Sequence, residues 1–430
     1  MAIRQEDMRF QTLDEWLAWQ EGLHFTAIEL GLDRCYSVAE NMGLLHPNYT
    51  VISVAGTNGK GSSAKMLESI LIHAGYVTGC YTSPHLIRYN ERIQINGQEA
   101  PDDELCEAFD RIDQARSDTS LTYFEFGTLA ALDIFQRSEV EIVILEVGLG
   151  GRLDAVNCLD ADVALVATID IDHENWLGSD RNSIAREKAG IFRTSAPAIC
   201  SDPNPPESLV QYAESLGTPL YLQPRDYQYQ ITGETWSWQS PLVSFNDLPN
   251  PAQYNASLLQ NAAGVLMALT ILSNRFPINL EAIKKGLREF KLDGRFQIVP
   301  DKAQIVLDVA HNRQGARTLV ENLKQFTIDG ETHVLIGMLK DKDRIAIFRE
   351  LDEITDAWHI VTLQDSRGAH CQTLANEVSE IGSKARVCCY DSVPEALDTI
   401  RNIVNSQDRI VVTGSFLTVG AVIAHLKLQH

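Results

Sequence analysis

The chain has 430 residues, 44% of them hydrophobic, which is more than one core usually organises and predicts two globular domains. A formal charge of −22 excludes a nucleic-acid backbone or an anionic membrane as the main partner, so an anionic small molecule would need local cations or a metal ion. No apolar run reaches the roughly 18 to 20 residues of a membrane span, and Arg4, Glu6, Asp7 and Arg9 stand where a signal peptide would be apolar, so a cytoplasmic protein is expected.

The first predicted element is a strand at 51–55, which breaks into Gly56-Thr57-Asn58-Gly59-Lys60-Gly61-Ser62. Glycines there let successive backbone N–H groups point into one concavity, Lys60 can reach outer phosphates, and the Ser62 hydroxyl is placed for a magnesium ion. Only Thr57 and Asn58 separate Gly56 from Gly59, whereas the common phosphate loop has four residues between its glycines. Met66, Leu67, Ile70, Leu71 and Ala74 then recur at helical spacing, and Gly75 sits where a C-terminal cap belongs. The plain alternative is a glycine turn with a solvated lysine.

Further strands are expected at 76–82, 141–147 and 163–169, alternating with helical stretches. Ser201 to Ser208 reads as a proline-rich loop, Pro219 to Phe245 as a small strand-rich excursion, and Asn255 to Leu272 as a helix. After Asp293-Gly294-Arg295-Phe296 the alternation restarts, with strands at 304–310, 332–338, 358–363, 386–390 and 409–414. The predicted fold is therefore α/β. A phosphate-loop domain with a mostly parallel sheet spans 1–295, and a C-terminal doubly wound, Rossmann-like domain spans 296–430. The eight cysteines form no metal- or redox-type Cys-x-x-Cys pair and read as reduced thiols.

Ligands of open parallel sheets collect outside the carboxyl ends of the strands. Ser83, Glu146 and His173 occupy such positions beside Ser62, and all four could converge on one magnesium-nucleotide. Glu146, between Leu145 and Val147, would be costly to bury unpaired and suits magnesium; its ordinary reading is a partner for Arg152. His173 reads equally as a packing histidine, Ser83 as a turn residue before Pro84, and Lys188 as a last-turn lysine before the Gly190 cap. Arg295 could bridge the domains or meet phosphates, and Asp308 and His311 end the second domain's first strand, facing a cleft where ATP could be clamped.

Gly56 to Ser62, Ser83-Pro84-His85, Glu146-Val147-Gly148-Leu149-Gly150-Gly151-Arg152-Leu153-Asp154 and Asp308-Val309-Ala310-His311-Asn312 together resemble the Mur-ligase superfamily and, within it, the folylpolyglutamate synthase family. Glu187-Lys188-Ala189-Gly190-Ile191-Phe192, Gly294-Arg295-Phe296-Gln297 and Gly414-Ser415-Phe416 extend the likeness from about Leu23 to Leu417. The resemblance implies an ATP-dependent ligase that adds L-glutamate to dihydropteroate and to reduced folates through an acyl phosphate. By matched position it implies phosphate contacts at Gly56, Thr57, Asn58, Gly59, Lys60 and Gly61. One magnesium would sit at Ser83, Glu146 and His173, and a second near Ser62. Lys188 would be carbamylated, and Asn261, Arg295, Asp308 and His311 would contact ATP. The pterin would lie against Ile28, Glu29, Leu30 and Gly31, against Thr122, Tyr123, Phe124, Glu125, Phe126, Gly127, Thr128 and Leu129, and against Leu153, Asp154 and Ala155. A monomer without nucleic-acid or membrane partner is expected.

Two positions depart from the family pattern: Arg313 replaces a proline, and Leu417 an aromatic or histidine. Too little chain precedes Gly56 for the separate N-terminal domain of the muramyl ligases, which leaves another Mur-type amide ligase as the runner-up. A phosphate-loop kinase or nucleotide switch would account for the loop and Glu146 but not for the second domain.

Overall fold

The computed structural model describes residues 8–251 and 256–426. The chain folds into two compact units, one formed by the residues up to Pro84 and by Tyr89–Lys291, the other by His85–Arg88 and the residues from Leu292 onward.

The first unit is built on eight strands: β1 Thr50–Ala55, β2 Thr78–Tyr81, β3 Ile93–Ile95, β4 Gln98–Glu99, β5 Ile142–Glu146, β6 Val163–Val166, β7 Ala198–Cys200 and β8 Leu220–Leu222. Their order is β4-β3-β2-β5-β1-β6-β7-β8. The pairings from β2 across to β8 are parallel, and only the β2–β3 and β3–β4 pairings are antiparallel. In the middle of this sheet β1 and β5 read as continuous apolar runs because both faces are covered, as a parallel sheet requires. Val51, Ala55, Val143, Leu145, Ala164 and Val166 turn toward a core that includes Trp16, Phe109, Phe126 and Phe135. Their alternating neighbours Ile52, Val54, Ile144 and Leu165 are just as fully enclosed.

The strand-rich excursion is a separate antiparallel sheet of β9 Gln228–Thr232, β10 Thr235–Gln239 and β11 Ser244–Pro249, in the order β11-β10-β9. Trp238 of β10 is buried and donates its indole N–H to Ala263 O at 3.0 Å, so a hydrogen bond anchors this sheet to the helix Ala256–Leu272. Asn255, the expected start of that helix, lies outside the described residues.

The second unit holds β12 Gln297–Val299, β13 Gln304–Leu307, β14 Thr332–Ile336, β15 Ala357–Val361, β16 Arg386–Tyr390 and β17 Arg409–Thr413, in the order β12-β13-β17-β14-β15-β16. The β12–β13 pair is antiparallel and the rest are parallel, with separate cores on the two faces of the sheet. Both units are α/β with parallel-rich sheets, as the alternation predicts. The sequence pattern did not reveal β3, β4, β7 or β12, which have two or three residues each and are too short to carry a period. Among the described residues no helix is long and apolar enough to cross a membrane.

Candidate active site

β1 ends at Ala55, and the chain turns through Gly56 to Gly59 into the helix Lys60–His73. Gly59 is its N-cap at φ 85°, a left-handed conformation that only glycine takes without strain. The loop is braced by the segment leaving β6: Thr57 N donates to Thr168 O at 2.7 Å, Thr168 Oγ1 to Asn58 O at 3.1 Å, and Asp170 N to Thr57 Oγ1 at 3.0 Å. This brace stops β6 at Val166, short of the expected residue 169, because Thr168 and Asp170 spend their polar groups on the loop. Lys60 Nζ donates to Gly56 O at 3.0 Å and Thr57 O at 3.1 Å, folding over the loop it serves. Buried Asn261 closes on Gly59 from the helix Ala256–Leu272, and its Oδ1 has no hydrogen-bond partner within the protein.

Glu146 ends β5, is 4% exposed, and accepts a hydrogen bond from Ser83 N at 3.1 Å. A Cβ on Gly61 would stand 3.6 Å from Glu146 Oε2, so the carboxylate lies against the first turn of the phosphate-loop helix, where Ser62 is also buried. The ordinary role for Glu146 does not hold, because Arg152 pairs instead with Glu187 at 2.9 Å. His173 takes a left-handed backbone at φ 53° ahead of the short helix Glu174–Leu177, and its Nε2 is 4.0 Å from Asp172 Oδ2. Among the described residues no three His, Cys, Asp or Glu side chains stand together as a ready-made metal cluster. A metal here would rely on Glu146, serine hydroxyls and phosphate oxygens, the hard-oxygen set that magnesium takes.

Lys188 is no solvated last-turn lysine. It is 3% exposed, and burial, aided by the charge of Lys60, depresses its pKa to about 7, against the pull of Asp172 and Asp154. Asp154 is enclosed too: burial pushes it up to about 7, although its carboxylate accepts from Leu149 N at 2.8 Å and Val156 N at 3.0 Å. Lys60, Lys188, Asp154 and Asp172 therefore form one electrostatic group. Sequence reading missed Asp172 in this role; its position two residues after Asp170 in the β6 exit turn was the available signal.

The three stretches expected at the pterin converge on the loop after β5. Gly31 N donates to Leu153 O at 3.2 Å, and the Phe124 ring packs so closely on Gly148 that a Cβ there would stand 2.6 Å from Phe124 Cζ. Arg34 ion-pairs with Glu29 and, at 3.0 Å, with Glu125, while His24 Nε2 lies 2.7 Å from Glu29 Oε2. That His24 bond holds the Glu29 carboxyl below the usual range. Arg34 and His24 are further residues that single-residue reading passed over. Thr122 caps the helix Tyr123–Arg137 with Glu125 in a capping box, which fixes where Tyr123 and Phe124 emerge. Tyr123 stands 5.5 Å from the Arg92 guanidinium, and Ala155 is buried. Phe126, Thr128 and Leu129 are fully buried, Phe126 against Trp19 and Phe109, while Ile28 is exposed.

In the second unit Asp308 follows β13, and its two oxygens accept from Phe296 N at 2.9 Å and Ala310 N at 2.8 Å. Burial raises its pKa, with the Arg295 charge opposing. Arg295 lies 5.3 Å over the Phe416 ring, whose centroid is 5.8 Å from that of His311. Arg295, His311 and Phe416, far apart in sequence, thus meet at the carboxyl end of the sheet. Arg313 pairs with Glu350 at 2.8 Å, giving this departure from the family pattern a partner of its own, and Leu417 is exposed.

The chain matches the Mur ligase middle domain over residues 54–204 and the Mur ligase glutamate ligase domain over residues 294–416. It is 41% identical over 422 residues to the dihydrofolate synthase/folylpolyglutamate synthase of Escherichia coli (strain K12), covering 98% of this chain and 97% of that one. E. coli FolC in complex with DHPP and ADP superposes with a TM-score of 0.92 at 40% identity, covering 97% and 98% of the two chains. A bifunctional folylpolyglutamate synthase/dihydrofolate synthase with Mn, AMPPNP and L-glutamate bound superposes with a TM-score of 0.89 at 42% identity, again over 97% and 98%.

Proposed function

Because the chain belongs to the dihydrofolate synthase/folylpolyglutamate synthase family of Mur ligases, we propose that it joins L-glutamate to dihydropteroate and to reduced folates, using ATP to activate the acceptor carboxylate. The observation that carries this reading is buried Glu146 set against the first turn of the phosphate-loop helix, with the pterin-side residues Phe124, Leu153 and Asp154 gathered around the same strand end.

The substrate carboxylate attacks the γ-phosphorus of ATP and ADP leaves; the amine of L-glutamate then attacks the carbonyl of the acyl phosphate, and phosphate departs as the amide forms. The backbone of Gly56, Thr57, Asn58, Gly59 and Gly61 holds the phosphates, and Lys60 exchanges its two loop carbonyls for phosphate oxygens. Ser62, Ser83, Glu146 and His173 are the proposed ligands of two magnesium ions. Bound magnesium would offset charge on the transferring phosphoryl group. Lys188, with a pKa near 7, presents much of its amine in the neutral form that adds CO2, which supports its carbamylation. The orphaned Asn261 Oδ1 is an acceptor aimed at the loop and suits a nucleotide donor; Arg295, Asp308 and His311 complete the proposed nucleotide contacts. The enzyme is proposed to act in the cytoplasm as a monomer.

The test is product analysis with ATP, magnesium, L-glutamate and either dihydropteroate or tetrahydrofolate. An amide-linked glutamate formed one-to-one with ADP is expected with both acceptors. ADP formation with a phosphorylated acceptor and no glutamate incorporation would overturn the assignment.

A further inference from the structure

β16 is the outer strand of the second unit's sheet, and side-chain alternation sends its adjacent cysteines to opposite faces. Cys388 shares a face with Tyr390. Cys389 pairs with Ile360 and so points to the face packed by the helix Cys371–Glu380; Cys371 N donates to Thr362 Oγ1 at 3.1 Å and Thr362 N to Tyr390 O at 3.1 Å, which sets the start of that helix beside the end of β16. Cys389 is exposed and Cys371 is buried. His370 caps that helix through Nδ1, which accepts from Gln372 N at 3.2 Å; the same nitrogen, unprotonated by that role, lies 3.9 Å from Cys371 Sγ. Cys371 is the first residue of that 10-residue helix, with the His370 ring beside its sulfur.

We propose that Cys371 and Cys389 are a reversible oxidation site that closes to an intramolecular disulfide when a hydroperoxide reaches the exposed Cys389. The Cys389 sulfur attacks the peroxide, the O–O bond breaks, and a sulfenic acid and one water form. Cys371 then attacks the sulfenic sulfur, the S–O bond breaks, and the departing hydroxide leaves with the Cys371 proton as a second water. Two thiols are oxidised to one disulfide while one hydrogen peroxide is reduced to two waters, and a low-molecular-weight thiol reverses the bond by exchange. Burial, with the Cys371 thiol beside it, holds Cys389 up at about 11, so closure is slow at neutral pH and speeds up as pH rises. The charge of Cys158 likewise acts on Cys35, but both are buried and should stay reduced, an internal control.

The experiment treats the reduced full chain with hydrogen peroxide at neutral and alkaline pH, alkylates the remaining thiols, and maps the peptides. A Cys371–Cys389 cross-linked peptide is expected. It should form faster at alkaline pH, disappear with dithiothreitol, persist in Cys388→Ser and be absent from Cys389→Ser. Cys371 remaining alkylatable while Cys389 is over-oxidised, a linkage through Cys388, or a bond only between molecules would each overturn the proposal. The wild-type map decides the question even if a variant fails to fold.

Discussion

Asn261 closes on the backbone of Gly59: a Cβ at position 59 would stand 2.6 Å from Asn261 Oδ1. With φ at 85°, an alanine there also meets left-handed strain of about 1 to 2 kcal/mol. Gly59→Ala should lower kcat/KM for ATP by about tenfold or more. Adding Asn261→Ala should recover only the part due to the clash. Steady-state kinetics on the two variants separate contact from strain, and near-normal turnover in Gly59→Ala would refute the close approach.

Lys60→Ala removes the cation that now folds onto the Gly56 and Thr57 carbonyls. Glutamate-dependent ADP formation with dihydropteroate should fall by about a hundredfold or more, with Tm little changed. Retention of most turnover would remove Lys60 from the phosphate site.

Lys188 reactivity should titrate near 7 rather than 10.5, because burial and the Lys60 charge disfavour its ammonium form. Its folded pKa is depressed, so its contribution to stability is present above about 10.5 and is lost as pH falls toward 7. Carbon-13 NMR with labelled bicarbonate should show a carbamate signal that grows as pH rises through about 7. The signal should vanish in Lys188→Ala. Its survival in that variant would assign the carbamate elsewhere.

Phe124 rests on Gly148 so tightly that Gly148→Ala must displace the ring. On the proposed substrate site, KM for dihydropteroate should rise several-fold while KM for ATP changes little. Equal effects on both would place Phe124 outside the pterin site.

His359 is 2% exposed in a chain of contacts, with His333 Nδ1 at 3.1 Å from its Nε2 and Tyr390 Oη at 2.9 Å from its Nδ1. Burial, with the charges of His333 and Arg386, depresses its pKa from 6.5 to about 4. A base with a depressed folded pKa stabilises above its unfolded value, so this contribution is intact above about 6.5 and is lost as pH falls through about 4. The full loss is about 3 kcal/mol. Urea unfolding followed between pH 7 and 4 should show it, and His359→Gln should flatten that slope. An unchanged slope would clear His359 of the effect.

The alternation of apolar runs and helical periods determined the α/β class, both parallel-rich sheets and the phosphate loop, because these are local consequences of side-chain pattern and of glycine at tight turns. It also placed Glu146 at a strand end, where a buried carboxylate needs a reason. The sequence alone left Lys188 as an ordinary capping lysine, since nothing in Arg186-Glu187-Lys188 records that the chain buries it near the charges of Lys60, Asp154 and Asp172. Nor could it decide that Arg152 would take Glu187 and leave Glu146 to the loop, or that Asn261 would reach Gly59. Those outcomes depend on residues tens to hundreds of positions apart meeting in a low-dielectric interior, where desolvation and close packing set protonation and contact, and only the tertiary structure brings them together.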